Sequence, residues 1–228
     1  GTTLSITTGG PTNFENLTGS ASVETLNGDA NANTIKGKGG ADTIYGNGGA
    51  DILYGHSSDG GGASSQSGND NLYGGAGDDS LYGTAGENIL DGGTGKDTMY
   101  GGNGADTFVL RAGDGNSTLA NANVIADFQN GTDVFGMDGL GFDDLTITQG
   151  SGVYASHTII QYTSTNEYLA IVQNTTVGNI TALDFTSTST DAQTLTGSSG
   201  NNTLIGGAGV DTVNGGAGSD TVYTWGGN

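Results

Sequence analysis

In 228 residues the chain has no cysteine, one proline, one tryptophan, two histidines and four basic residues. Without cysteine there is neither a disulfide framework nor a thiolate metal site. His56 and His157 are too few for most imidazole-based zinc sites, and no HExxH occurs. Lys36, Lys38, Lys96 and Arg111 cannot assemble a basic patch, which argues against nucleic acid and anionic membranes as partners. No apolar run approaches the ~18 residues that a spanning helix needs, so no membrane insertion is expected. No leader peptide is visible, but a chain starting at Gly1 rather than Met reads as an excised or processed piece, which leaves its parent open.

What is abundant is glycine and aspartate. There are 46 glycines, and 20 of the 24 acids are Asp against 4 Glu, for a net charge of −20. Asp is a turn former and a short oxygen ligand, whereas surface charge for solubility ordinarily draws on Glu and Lys as well. The balance favours cations as partners.

The glycines are periodic. GGAGDDSLY (74–82) is followed by GTAGENILD, GGTGKDTMY and GGNGADTFV, each nine residues long, and ten such rows align from Gly10 to Val109. Their eighth positions are Leu17, Leu26, Ile35, Ile44, Leu53, Leu72, Leu81, Leu90, Met99 and Phe108, all apolar. Their sixth positions are Glu15, Glu24, Asn33, Asp42, Asp51, Asp70, Asp79, Asn88, Asp97 and Asp106, all oxygen donors. Ten residues (55–64) interrupt the turn before Asp70. A second block carries Leu195, Leu204, Val213 and Val222 at the eighth position, with Gln193, Asn202, Asp211 and Asp220 at the sixth.

Such rows predict a turn over positions 1–6 and a short strand over 7–9 whose central side chain points inward. Two rows make a coil, and coils stack as parallel strands about 4.8 Å apart. Turns 18 residues apart then share an edge, once the interruption is discounted. One column holds Asp51, Asp79 and Asp97; the other holds Asp42, Asp70, Asn88 and Asp106. Bare carboxylates at that spacing repel one another, and glycine-rich turns direct carbonyl oxygens into the same gap. A hard divalent cation accepting six to eight oxygens at about 2.3–2.6 Å satisfies both, and calcium suits the flexible geometry better than magnesium.

GGAGDDSLY, GGTGKDTMY, GGNGADTFV and GGAGSDTVY match GGxGxDxUx in full, so the chain resembles the RTX calcium-binding repeat family. The resemblance implies a parallel β-roll binding several calcium ions. The implied metal ligands are Asn33, Asp42, Asp51, Asp70, Asp79, Asn88, Asp97, Asp106, Asn202, Asp211 and Asp220. The turn glycines Gly75, Gly77, Gly93, Gly95, Gly102, Gly104, Gly207, Gly209, Gly216 and Gly218 are implied with them. Asn33, Asn88 and Asn202 replace Asp with a neutral oxygen, so sites touching them should be weaker. Lys38 and Asn47 stand where the second glycine belongs. Asp78, at the variable fifth position, is not expected to be a principal ligand. The resemblance further implies export in an unfolded state by bacterial type I secretion, with folding at extracellular calcium.

The expected fold is all-β: a parallel β-roll, or solenoid, with an antiparallel β-rich capping segment. Residues 1–18 form an N-terminal edge strand or cap, 19–109 the roll, 110–187 a β-rich cap or insertion, and 188–228 a second roll block. The period stops at 110, where runs such as Leu145–Thr148 and Tyr168–Val172 suggest antiparallel strands with their own small core. Asp127 and Asp133 suit another ion or simple Asx turns. Asp29-x-Asn31-x-Asn33 begins like an EF-hand loop but has Thr34 where glycine is needed, so it reads as a repeat turn. Gly55-His-Ser-Ser-Asp-Gly lacks GxSxG spacing and is not a nucleophile elbow.

Tyr45, Tyr54, Tyr73, Tyr82 and Tyr100 fall at the ninth position and predict an outward tyrosine ladder on each face, covering the short strands or docking glycans. These features describe a non-enzymatic, calcium-dependent structural module of a secreted or cell-surface bacterial protein such as an adhesin, surface-layer or filament component, with self-assembly or glycan contacts. Two alternatives are the carboxyl-side export and folding module of a secreted hydrolase or epimerase, and a carbohydrate-binding module.

Overall fold

The computed structural model describes residues 1–5, 15–56, 68–189 and 192–224. The interruption at 55–64, beyond His56, lies outside the described residues.

Two sheets face each other across one core. The first runs, in spatial order, Thr2–Ser5, Glu24–Asn27, Thr43–Gly48, Asn71–Ala76, Ile89–Thr94, Thr107–Arg111, Val134–Asp138 and Phe185–Ser187. The second runs Glu15–Thr18, Asn33–Lys36, Ile52–Tyr54, Ser80–Ala85, Thr98–Asn103, Asn123–Ile125 and Glu167–Val172, then Thr158–Tyr162 and Leu145–Gln149. Consecutive repeats alternate between the sheets, so Leu81 pairs with Met99, and Ile44 with Leu72 across the interruption. All pairings within the repeats are parallel. The inward residues Leu26, Ile35, Ile44, Leu53, Leu72, Leu81, Leu90, Met99 and Phe108 are each 0 % exposed, as the single apolar position per row requires.

The strands are longer than the three residues expected. Thr43–Gly48, Asn71–Ala76, Ser80–Ala85, Ile89–Thr94 and Thr98–Asn103 each span six. The ladder continues into the following turn because stacked turns keep register: Asn47 pairs with Gly75, and Gly75 with Gly93. Two positions per row therefore face inward. Besides the apolar residue, the first glycine of the next row is buried, as Gly46, Gly74, Gly83, Gly92 and Gly101 are.

The segment 110–187 contains the antiparallel strands expected at Leu145–Thr148 and Tyr168–Val172, and adds parallel ones. Asn123–Ile125, Val134–Asp138, Glu167–Val172 and Phe185–Ser187 extend the roll in parallel, while Leu145–Gln149 pairs antiparallel with Thr158–Tyr162, Thr158–Tyr162 with Glu167–Val172, and Asn116 bridges Tyr168 in the same sense. The coils continue without a nine-residue period because aromatic residues take over the core. Phe128 stacks on Phe135 at 4.4 Å, Phe135 lies 4.9 Å from Phe185, and Phe108 lies 6.2 Å from Phe128. Larger side chains fill the space with irregular spacing, which removes the period but keeps the architecture.

The second block forms two two-stranded parallel sheets, Thr194–Thr196 with Thr212–Asn214 and Thr203–Ile205 with Thr221–Tyr223. Its eighth positions pair as expected, Leu195 with Val213 and Leu204 with Val222. They are not sealed, however: Val213 is 36 % and Val222 44 % exposed, while the ninth-position Ile205 is buried in the main core. A stacked repeat buries its face only between neighbours, and two strands per sheet provide few.

Candidate metal centre

The sixth-position side chains form two columns of linked carboxylates. In one, Asn33 N–H donates to Asp51 Oδ1, Asp51 N–H to Asp79 Oδ1 and Asp79 N–H to Asp97 Oδ1, at 2.7, 2.7 and 2.9 Å. In the other, Glu24 N–H donates to Asp42, Asp42 to Asp70, Asp70 to Asn88 and Asn88 to Asp106, at 2.8 to 3.0 Å. Both columns match the sequence-derived grouping. Each carboxylate thus spends one oxygen on the backbone of the preceding coil.

The second oxygen is unspent. Oδ2 of Asp42, Asp51, Asp70, Asp79, Asp97, Asp106 and Asp211 is buried and has no hydrogen-bond partner among the described residues. A buried carboxylate oxygen without a donor costs several kcal/mol unless a cation or proton satisfies it. In the ion-free roll burial pushes Asp42, Asp51, Asp70, Asp79, Asp97 and Asp106 up. Asp51, Asp70 and Asp97 rise to about 7, and Asp42 and Asp79 to about 6, mainly by desolvation, with backbone donors opposing the shift. Asp106 is also raised, burial again leading and the backbone and side-chain donors of Asn88 opposing it.

Carbonyl oxygens share the same gaps. At Gly74 a β-carbon would strike Asp79 Oδ2 and the Gly92 carbonyl together, and at Gly46 it would strike Asp51 Oδ2 and the Gly74 carbonyl. The first glycine of the row is obligatory because the carboxylate of its own turn folds over it. The second and fourth positions carry the bend: Gly75, Gly77, Gly93, Gly95, Gly102 and Gly104 have φ between 81° and 137°. Lys38, Asn47 and Thr84 occupy the second position with φ of 84°, 76° and 80°, which costs a side-chain-bearing residue on the order of 1 kcal/mol or more. No three acidic or histidine side chains converge among the described residues, so side chains alone do not complete an ion's shell here. Carboxylate plus backbone carbonyl is the donor set of calcium.

The other predicted residues separate by neighbourhood. Asn33 Oδ1 accepts from Asp29 N–H, and its amide donates to Asp29 Oδ1 at 3.3 Å. Asn88 donates to Asp106 Oδ1 and to the Gly86 carbonyl. Asn202 donates to Asp143 and Ser198 from an exposed turn. None of the three leaves an oxygen open in the way the aspartates do. In the second block Gln193 N–H donates to Asp211 and Asn202 N–H to Asp220, at 3.0 Å each, so this pairing persists. Gly216 and Gly218 take positive φ there, whereas Gly207 and Gly209 do not. Gln193 Oε1, at the sixth position of its row, is likewise buried and has no hydrogen-bond partner among the described residues.

Beyond the repeats, Asn123 Oδ1 accepts from Asp97 N–H and Asp133 Oδ1 from Asp106 N–H, prolonging both columns by one level. Asn123 was not legible in the sequence, because it follows Asp97 by 26 residues with no glycine cassette around it. Asp127 clasps the neighbouring coil, whereas Asp133 caps its own turn. Asp127 receives Gly101 and Gly102 N–H, and Asp133 Oδ2 receives Gln129 N–H.

Both tyrosine ladders are present. Tyr54, Tyr82 and Tyr100 stack at 4.9 Å centroid spacing, as do Tyr45 and Tyr73. The rings cover one another's faces, and Lys36 Nζ lies 5.7 Å from the Tyr54 ring centroid. In the first sheet Asp91 follows Tyr73 in register and meets Arg111, which also binds Asp114 and Asp138, each at 2.7 Å.

The family model of the RTX calcium-binding nonapeptide repeat matches residues 18–60, 65–99, 73–108, 82–119 and 188–228, more than half of the chain. The chain belongs to the RTX calcium-binding repeat family. Its RTX coils are those described above, and the matches end where the aromatic core begins and resume at the second block. No curated protein matches the chain. Among solved structures it is similar to the solution structure of the AlgE6R3 subunit from the Azotobacter vinelandii mannuronan C5-epimerase, at 22 % identity, covering 76 % of this chain and 78 % of that one, with a TM-score of 0.40.

Proposed function

We propose that the chain is a calcium-assembled structural module of a type I-secreted, extracellular or cell-surface bacterial protein, such as an adhesin, surface-layer or filament component, that folds on meeting calcium outside the cell. The observation that carries this reading is the set of seven Asp Oδ2 atoms that are buried and without a hydrogen-bond partner among the described residues, those of Asp42, Asp51, Asp70 and Asp79 lying beside a backbone carbonyl of the next turn. Asp42, Asp51, Asp70, Asp79, Asp97, Asp106 and Asp211 would hold the ions, together with carbonyls of the glycine turns. Calcium supplies the positive charge that lets stacked carboxylates stay ionised inside the roll. The residues themselves fix its position: Oδ1 is tied to the preceding coil, which turns Oδ2 into the gap.

Extracellular modules bind calcium at about 10⁻⁴–10⁻³ M, far above the level inside cells, so the same sites couple folding to export. Calcium titration followed by far-UV circular dichroism should show β-structure appearing cooperatively. Full folding in excess chelator at neutral pH would defeat the reading.

A further inference from the structure

One level of the second column stands apart. Asn88 is 1 % exposed and occupies the position that Asp70 and Asp106 hold in the coils on either side. Its orientation is determined by its neighbours: the side-chain oxygen must face Asp70 N–H, 3.0 Å away, because that donor needs an acceptor. The amide nitrogen therefore turns into the gap. There it donates to Asp106 Oδ1 at 2.9 Å and to the Gly86 carbonyl at 3.3 Å.

A comparison with the neighbouring column shows what this replaces. A β-carbon on Gly74 would meet Asp79 Oδ2 and the Gly92 carbonyl; one on Gly83 would meet Asn88 Nδ2 and the Gly101 carbonyl, both at 2.7 Å. The amide nitrogen thus stands where the aspartates place their open oxygen. At the aspartate levels the gap is walled by acceptors and contains no donor. At Asn88 two hydrogens enter the gap instead of an oxygen, one reaching Asp106 Oδ1, which the Asn88 backbone N–H also engages, and one the Gly86 carbonyl, while Asp106 Oδ2 faces away from this level and stays open.

We infer that Asn88 is a built-in substitute for calcium: its amide puts hydrogen-bond donors in the gap where the aspartates put an open oxygen, so that level takes no ion and holds without one. The inference rests on the calcium reading of the aspartate columns. It makes the coil pair joined by Asn88 and Asp106 the part of the roll least dependent on calcium, in the middle of levels that require it.

The test is Asn88→Asp and Asn88→Ala in the full chain, with bound calcium counted by equilibrium dialysis and elemental analysis, and thermal stability read with and without calcium. Wild type binding calcium at all tests the parent reading; only the difference between variants tests this inference. Asn88→Asp should bind one more ion per chain, gain stability in saturating calcium, and lose it in calcium-free buffer at neutral pH. Asn88→Ala should bind no additional ion and melt lower in both conditions, and circular dichroism in saturating calcium confirms that each variant is folded. An unchanged ion count in folded Asn88→Asp, or one fewer ion in folded Asn88→Ala, would overturn the inference.

Discussion

Replacing Asp79 with alanine tests the columns most directly. Asp79 Oδ1 accepts Asp51 N–H at 2.7 Å, and Asp79 Oδ2 is buried without a partner. Truncation strands the Asp51 N–H in a dry turn, worth about 1–3 kcal/mol, and removes a charged oxygen from the ion, worth about 1.5–3 kcal/mol. The combined loss in saturating calcium is on the order of 3–5 kcal/mol, or ~6–20 °C in melting temperature for a chain of this size. Asp78, one residue earlier, is the control: its exposed carboxylate accepts Lys96 N–H at 2.9 Å, so Asp78→Ala should cost under about 1 kcal/mol. Thermal unfolding at saturating calcium is the assay of choice. The calcium midpoint is a blunter readout, because a stability loss is shared among all ions bound on folding. Equal losses for Asp78→Ala and Asp79→Ala would refute the assignment of Oδ2 to a cation.

Acidity should act in opposite directions with and without calcium. In the ion-free roll Asp51, Asp70 and Asp97 titrate at about 7, against 3.8 when unfolded, so protons favour that fold; its stability is greatest below pH 4 and is lost as pH rises toward 7. Calcium-free protein followed by circular dichroism should therefore gain β-structure between pH 7.5 and 5, and a flat profile would contradict the burial argument. With calcium present, protons compete for the same oxygens, and the calcium midpoint should rise over that range. Gly74→Ala should drive a methyl group into Asp79 Oδ2 and the Gly92 carbonyl, lowering stability by about 1–3 kcal/mol. Gly178→Ala, where nothing lies within 4 Å, should melt within a few degrees of wild type.

The nine-residue period alone determined the roll, its inward residues and the two Asp columns. That was possible because each row repeats the same local rule: glycines at left-handed positions, one acid, one apolar residue. A repeated local rule makes every contact nearest-neighbour, so spacing in sequence becomes spacing in space. Tertiary structure decided what the period could not express. Past Val109 the coils continue, but Phe128, Phe135 and Phe185 pack at irregular intervals, and no periodic signal survives to announce Asn123 or Asp133 as the next level of each column. The second block obeys the consensus, yet Val213 and Val222 stay partly exposed, because burial depends on how many coils are stacked rather than on the motif. In a row of letters Asn at the sixth position differs from Asp only as a weaker, neutral oxygen donor. Only the fold shows Asp79 with an oxygen left open and Asn88 with its amide turned into the gap, because the backbone N–H of the preceding coil claims one side-chain oxygen and leaves the other atom to determine what the site can bind.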